Sequence, residues 1–431
     1  MSILRFSAKL FLFLPLALIP LRAATQVRYG DFFEDRTLRI DYHRIGNRHF
    51  DTVEVARFVA KRGGWSGSTT SLLDGFGNGS YRVLVHDARS GLLLYSHCYN
   101  TIFNEYCGTP QGDSAVVAYE EVVNVPWPKA EVSISMQKMD EAQQYVTQSV
   151  FHFSPDAMVA SSDHGVSYRT LQYRGDCHHK VDVVIVPEGY AAADSLKMYA
   201  DFERFLSILF AKEPFLSRRD DFNVYGVVAF GEESGVSNAT KGVMVKSAVG
   251  ATYYTFGAAR YLMTFNLFAL HDLIDGVPAD HIVIMANSDI YGGGGIYNFY
   301  AVSSLTKTAA SVLPHELGHS IGGLADEYVD ENLSYGDIHK PTVEPCEPNI
   351  TTLVDFASKW ESMLDANTAV PTPDDLSVPK GTNGPLGCYE GAGYHPKGIY
   401  RPTMHCMMRD YAPFCPVCLR HLNLVIDTFV K

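Results

Sequence analysis

The 431-residue chain has no cluster of lysine and arginine, no low-complexity tract and, past its N-terminus, no apolar run long enough to span a bilayer. Each absence removes a class of function. With 35 Lys and Arg against 48 Asp and Glu, the formal net charge is −13, and phosphate binding needs a concentrated basic surface. Nucleic acid is therefore not expected as a partner, and stable membrane insertion is not expected either. A composition that is 46% hydrophobic and 19% charged is that of a folded globular chain. Its length exceeds one ordinary core and points to two domains or more. The 25 Tyr and 24 Phe favour sheet-rich architecture and contacts with peptide or carbohydrate.

The N-terminus reads as an export signal over residues 1–23. Arg5 and Lys9 precede the apolar run Leu10-Phe11-Leu12-Phe13-Leu14-Pro15-Leu16-Ala17-Leu18-Ile19, and the small residues Ala23 and Ala24 follow. The run is too short for a span, and Pro15 and Pro20 weaken that alternative further. No cysteine follows the cleavage region, which argues against a lipoprotein anchor. The expected destination is periplasmic, cell-surface or secreted. Export would permit disulfides among Cys98, Cys107, Cys177, Cys346, Cys388, Cys406, Cys415 and Cys418, with Cys98 and Cys107 placed to staple a hairpin. Cys415-Pro-Val-Cys418, with Cys406, His405 and His421 nearby, is a rival candidate for a structural metal. A lone Cys-x-x-Cys is a weak signal, so disulfides or free thiols are the favoured reading.

Residues 24–165 alternate apolar and polar side chains in segments such as Tyr81-Arg82-Val83-Leu84-Val85-His86, separated by turns such as Gly77-Asn78-Gly79. This predicts an antiparallel β-sandwich that supports a second domain, with no catalytic constellation of its own. Near residue 170 the pattern changes. Val181-Asp182-Val183-Val184-Ile185-Val186-Pro187 reads as a strand buried on both faces, residues 194–212 as a helix, and Phe222-Asn223-Val224-Tyr225-Gly226-Val227-Val228 and Ile282-Val283-Ile284-Met285 as further strands. Residues 253–274 read as mostly helical, and the proline-rich stretch 326–393 as long surface loops. Strands alternating with helices predict an α/β layer architecture for residues 170–431.

The chemistry sits in His315-Glu316-Leu317-Gly318-His319. On an α-helix, residues four apart share a face, so both imidazoles can converge on one ion. Glu316, one step round, reaches a water beside that ion without displacing it and can take its proton. Pro314 suits the first helical turn, and Gly322-Gly323 lets the chain stop and fold back. An unbroken helix would carry residue 326 about 10 Å along the axis from His319, so the fold-back is what brings Asp326 or Glu327 towards the metal; Asp326 is the favoured third ligand and Glu327 the fallback. The carboxylate not used would bond a ligand histidine from outside.

The segment 315–328, His-Glu-Leu-Gly-His-Ser-Ile-Gly-Gly-Leu-Ala-Asp-Glu-Tyr, resembles the signature of the IgA-peptidase family of metallopeptidases, itself similar to the metzincins. Gly322 takes the metzincin glycine position, but Ala325 stands where that pattern has its third histidine, and Asp326 follows one residue later. Val183-Val184-Ile185-Val186-Pro187-Glu188-Gly189-Tyr190 resembles the family's opening strand and turn, and Glu213-Pro214-Phe215 before Phe222-Asn223-Val224 its next helix-to-strand passage. Tyr291-Gly292-Gly293-Gly294-Gly295 resembles its glycine-rich approach to the zinc helix, and Cys406-Met407-Met408-Arg409 looks like a Met-turn.

The resemblance covers residues 170–431, with an N-terminal β-domain also found in relatives. It implies an α+β or α/β fold: a β-sandwich, then a metzincin-like zinc-peptidase domain with a mixed twisted sheet and an active-site helix. It implies Zn2+ held by His315, His319 and Asp326, polarising a water and the scissile carbonyl of a protein or peptide substrate. Glu316 would take the water's proton and deliver it to the leaving amine. Met408, with Met407 second, would be the floor beneath the metal. Gly293 and Gly294 would bind substrate as an added strand. Tyr394, Tyr400 and His395 are candidates to stabilise the oxyanion. The rival readings are a zinc amidase acting on a non-peptide substrate and a non-catalytic glycan- or protein-binding surface protein with a vestigial metal site.

Overall fold

A computed structural model describes residues 27–161, 165–330 and 339–430; the signal peptide expected over residues 1–23 lies outside them. A one-turn helix α1 (Tyr29–Phe32) leads into β1 (Phe33–Gly46), β2 (Asp51–Ala60), β3 (Tyr81–Asp87) and β4 (Leu93–Tyr99). Helix α2 (Ile102–Cys107) follows, then β5 (Val117–Pro128), β6 (Val132–Met139), β7 (Tyr145–Phe153) and the short β8 (Ala160–Ser161). These strands make two sheets, ordered β5-β1-β2-β8 and β4-β3-β6-β7. All neighbours are antiparallel except β2 and β8, which pair in parallel.

Alternation along β3 and β6 turns Val83, Val85, Ile134 and Met136 inward, where they meet Leu38, Ile40 and Tyr42 of β1 and Val123 and Val125 of β5 in one shared core. β1 is buried on its other face too. There Arg39 donates to Asp41 (2.5 Å) and to Asp272 (2.6 Å), and Arg57 joins Asp41 at 2.7 Å.

The second part begins with β9 (Tyr168–Gln172), β10 (Val181–Glu188), α3 (Ser195–Leu209), β11 (Phe222–Val227), and the two-residue strands β12 (Ser237–Asn238) and β13 (Thr252–Tyr253). It continues through α4 (Leu267–Leu273), β14 (His281–Ala286), β15 (Gly293–Ile296), β16 (Tyr300–Ser304), α5 (Ala309–Gly322), β17 (Tyr389–Ala392), β18 (His395–Arg401), α6 (Met407–Asp410) and α7 (Pro416–Val430). Six strands form a mixed sheet in the order β15-β16-β14-β10-β11-β9, parallel at the centre and antiparallel at both edges. Every residue of β10 is buried. Val183 and Ile185 enter a core with α3, α5 and α7, while Val184 and Val186 enter a second core with Leu267 and Leu270 of α4. The chain is thus mixed α/β, with several sheets and few helices.

Two local expectations need correction. Residues 253–274 are not mostly helical: only Leu267–Leu273 is, and Tyr254 and Phe256 take left-handed φ values of 69° and 51°. The rest of the stretch packs as largely irregular chain, with Tyr253, Leu262 and Met263 in the core. The proline-rich loops are also less superficial than expected, since Ile350, Trp360 and Cys388 are fully buried.

Arg39 is fully buried and links the N-terminal sheet to α4, so its loss leaves Asp41 with only the half-exposed Arg57. Removing one partner of a buried pair typically costs 3–5 kcal/mol, roughly. Arg39→Met is expected to lower urea stability by about that amount, whereas Lys246→Met, at an exposed pair, leaves the midpoint nearly unchanged.

Candidate active site

Helix α5 lies against β15 and β16, and its histidines come from its second and third turns. Pro314 is inside the helix rather than in its first turn, because the helix begins at Ala309. The helix ends where Gly323 turns left-handed at φ 57°; its N–H reaches His319 O at 2.9 Å, and the Leu324 N–H reaches Gly318 O at 3.1 Å. Gly322 remains helical, and a Cβ there would meet Leu422 at 2.8 Å. The chain then runs back past the histidines, and Asn349 clamps it by bonding both the N–H and the carbonyl of Ala325 at 2.8 and 2.9 Å.

This return brings Asp326 Oδ1 to 3.2 Å from His315 Nε2 and 3.3 Å from His319 Nε2, with the two Nε2 atoms 3.2 Å apart. The other ring nitrogens face carbonyls, His315 Nδ1 that of Met407 at 2.9 Å and His319 Nδ1 that of Leu324 at 2.6 Å. With the Nδ1 protons given to those carbonyls, the neutral rings present both Nε2 lone pairs to the space in front of the Asp326 carboxylate, and its buried Oδ1 has no other hydrogen-bond partner. Atoms 2.0–2.2 Å from a tetrahedral zinc ion lie about 3.3 Å apart, so this triangle has the dimensions of one face of a zinc site. Burial would push the Asp326 carboxyl up, but His319 and His315 hold it well below the usual carboxylate range. Burial would likewise lower His319, yet Asp326 raises it to about 9. The site favours a positive charge at this point. Tyr394 donates to the second oxygen, Oδ2, at 2.5 Å.

Glu316 offers a carboxylate oxygen within 4.8 Å of the imidazole nitrogens. Burial raises its pKa, as does Asp326, against the opposing pull of both histidines. Met408 is fully buried under the helix, and a Cβ on Gly318 would sit 2.5 Å from its sulfur. Met407 supplies the carbonyl under His315.

Gly293 and Gly294 lie on β15, the edge of the sheet, and line the cleft with His315, Glu316, His319 and Asp326. The ladder alternates. Gly292 O accepts from Ser304 inside the sheet, whereas Gly293 bonds outward to Arg260 and Leu262, and Tyr297 O accepts outward from Asn100. Gly293 is thus already paired, and the alternation turns Gly294 towards β16. Gly295 is the residue between the two caps whose peptide groups face outward.

Glu327 is not the third member of the histidine group: its carboxylate points the other way, to Asn349 and Cys418, and it bonds no histidine. Of the three oxyanion candidates, Tyr394 lines the cleft; Tyr400 pairs through its backbone with Thr351, and His395 begins β18 away from the cleft wall. Sequence reasoning missed Asn100, Thr101, Asn104 and Glu105, which bring the N-terminal part of the chain to the cleft. Glu105 accepts from Tyr261, and burial pushes its carboxyl up to about 7. No spacing rule links a residue of α2 to a helix two hundred positions later. Arg260 and Tyr328, bonded at 2.9 Å, form part of the same lining.

A family model described as IgA Peptidase M64 matches residues 170–381 and 376–426, and one described as Peptidase M64 N-terminus matches residues 28–150. No curated protein matches the chain.

A Cβ on Gly295 would lie 2.4 Å from the backbone oxygen of Glu316, where no side-chain rotation can relieve it. Overpacking of this kind costs about 1–3 kcal/mol. Gly295→Ala is expected to lower the thermal midpoint. Gly75→Ala, whose added Cβ meets nothing within 4 Å, serves as the comparison in the same melt.

Proposed function

The chain belongs to the IgA Peptidase M64 family, and from that premise we propose that it is an exported, zinc-dependent endopeptidase with a metzincin-like catalytic domain. Membership makes it a peptidase acting on protein or peptide substrates. The observation that carries the finer reading is the 3.2–3.3 Å triangle of His315 Nε2, His319 Nε2 and Asp326 Oδ1 with Glu316 beside it. Three protein ligands with a fourth position open to the cleft is the arrangement of a catalytic rather than a structural zinc. Bound there, zinc supplies Lewis acidity towards the scissile carbonyl and makes an adjacent water more acidic.

The protein's own groups then have distinct tasks. Glu316 accepts the proton of the attacking water and hands it to the leaving amine. Its raised pKa fits both halves of that shuttle, since the protonated form is held closer to neutrality. The carbonyls of Met407 and Leu324 fix the tautomers of His315 and His319, and Tyr394 fixes the Asp326 carboxylate. Met408 fills the space under the helix, the role of a Met-turn residue. An extended substrate would add to the edge of β15 with Gly295 as its open rung, rather than Gly293 or Gly294. Export is supported by the charged and apolar pattern of residues 5–24. Among the described residues, no helix is long and apolar enough to cross a membrane.

The test combines metal content with turnover of a quenched peptide library. Glu316→Gln is expected to keep its active-site metal while kcat falls by roughly 10²–10⁴. His319→Ala and Asp326→Ala should lose that metal. Wild-type protein that cleaves peptides equally well after exhaustive chelation would overturn the zinc reading.

Tyr394→Phe removes a hydrogen bond to a ligand carboxylate and keeps the ring. It is expected to weaken zinc about 10–100-fold in competition with a chromogenic chelator, with the folded state retained.

A further inference from the structure

Glu327, Cys406, Cys415 and Cys418 present one carboxylate oxygen and three sulfurs that all lie within 4.8 Å of one another, and all four residues are fully buried. From this cluster we infer that the protein holds a second, structural zinc ion, bound by Glu327 and the thiolates of Cys406, Cys415 and Cys418. The favoured expectation for these cysteines was disulfides or free thiols. All eight cysteines are free in the structure. His405 and His421, the other ligands considered, are turned elsewhere, His405 to Asp410 and His421 to Asn78.

The dimensions fit. Sulfurs about 2.3 Å from a tetrahedral zinc stand about 3.8 Å apart. Cys406 Sγ and Cys418 Sγ are 3.8 Å apart, and Cys418 Sγ lies 3.3 Å from Glu327 Oε1. Peptide N–H groups point at the sulfurs, Cys415 N at Cys406 Sγ (3.4 Å) and Cys418 N at Cys415 Sγ (3.5 Å). Such donors stabilise thiolate over thiol.

The carboxylate supplies an independent indication. Glutamate is almost never fully buried without a partner for its charge. Here Oε1 accepts from Asn349 at 2.8 Å, while Oε2 is buried with no hydrogen-bond partner. Among the described residues, no lysine, arginine or histidine forms an ion pair with it. Three thiolates and a carboxylate around Zn2+ carry the same net charge as a four-cysteine site, a common structural arrangement. With four protein ligands and no access to solvent, this ion would have no open position for chemistry.

Its place in the fold defines its role. Cys406 precedes Met407 and Met408, Cys415 and Cys418 sit at the start of α7, and Glu327 follows Asp326 directly. The ion would tie the Asp326 segment, the methionine turn and the C-terminal helix together. It thereby holds Asp326 and the Met407 carbonyl in position.

The experiment uses the full-length His315→Ala/His319→Ala variant, in which the candidate active-site metal is abolished. Purified under reducing conditions, it should retain about one zinc per chain, against about two in wild type. Reloaded with Co2+, it should show thiolate-to-cobalt charge-transfer absorption, which two imidazoles and a carboxylate cannot produce. A mercurial that blocks the three thiols should release the zinc in step with their modification, so the result does not depend on a cysteine variant folding. Glu327→Gln should retain the charge-transfer bands with weaker metal affinity. A double variant that is metal-free with all three thiols alkylatable would overturn the inference. So would an intact mass and peptide map showing two of these cysteines joined as a disulfide.

Discussion

Everything at the cleft depends on the chain reversal at Gly323. If the helix ran on, residue 326 would lie about 10 Å along the axis and out of reach of the histidines. A left-handed residue at the helix end returns the chain across the face it has just left, where Asn349 bonds both peptide groups of Ala325 and fixes its path. Past that clamp, neighbouring residues of an extended chain point to opposite sides. Asp326 therefore faces the imidazoles, and Glu327 faces the cysteines. One residue of slip would exchange the two carboxylates, so the clamp decides what each can do.

The same segment is held from three directions. The Glu327 N–H reaches Met408 O at 2.8 Å, Arg409 reaches Glu327 O at 3.0 Å, and the Gly393 N–H reaches Asp326 O at 2.9 Å. The methionine turn is in turn fixed to the active helix by His315 and by the close seat of Met408 against Gly318. Polar groups this deep are costly unless partnered, and nearly every one of these has a partner within the network. The exceptions are Asp326 Oδ1, which faces the two imidazoles, and Glu327 Oε2, on the carboxylate that belongs to the cysteine cluster.

How much of this was legible in the sequence follows from how far apart the cooperating residues lie. His315 and His319 are one helical turn apart, so their spacing alone places them on one face. The buried strands β10, β11 and β14 were equally readable, because a run of β-branched residues encodes burial locally. Choosing between Asp326 and Glu327 was not possible from local pattern. It requires the path after Gly323, which is set by Asn349, a residue inside a proline-rich stretch that reads as surface loop. Residues 253–274 misled for the opposite reason: the stretch is apolar enough to pass for a helix, but it is divided between the core and the irregular segment that caps Gly293. The pairing of Glu327 with Cys406, Cys415 and Cys418 was invisible because His405 and His421 are nearer in sequence and better known as ligands.

The N-terminal sheets are also more than a support. The Asn100 N–H occupies the outward carbonyl of Tyr297, and residues 260–262 occupy both outward groups of Gly293. Between these two caps the edge strand is open for a single residue. An exposed edge of full length would invite pairing with any extended chain, including another copy of this one. Capping it at both ends leaves a short rung above Glu316, so a peptide gains few main-chain bonds there and must be held elsewhere along the cleft. The cleft lining available for that includes Asn104, Glu105, Arg260 and Tyr328. Side chains from α2, which no catalytic motif includes, thus stand where they can decide which peptides are accepted.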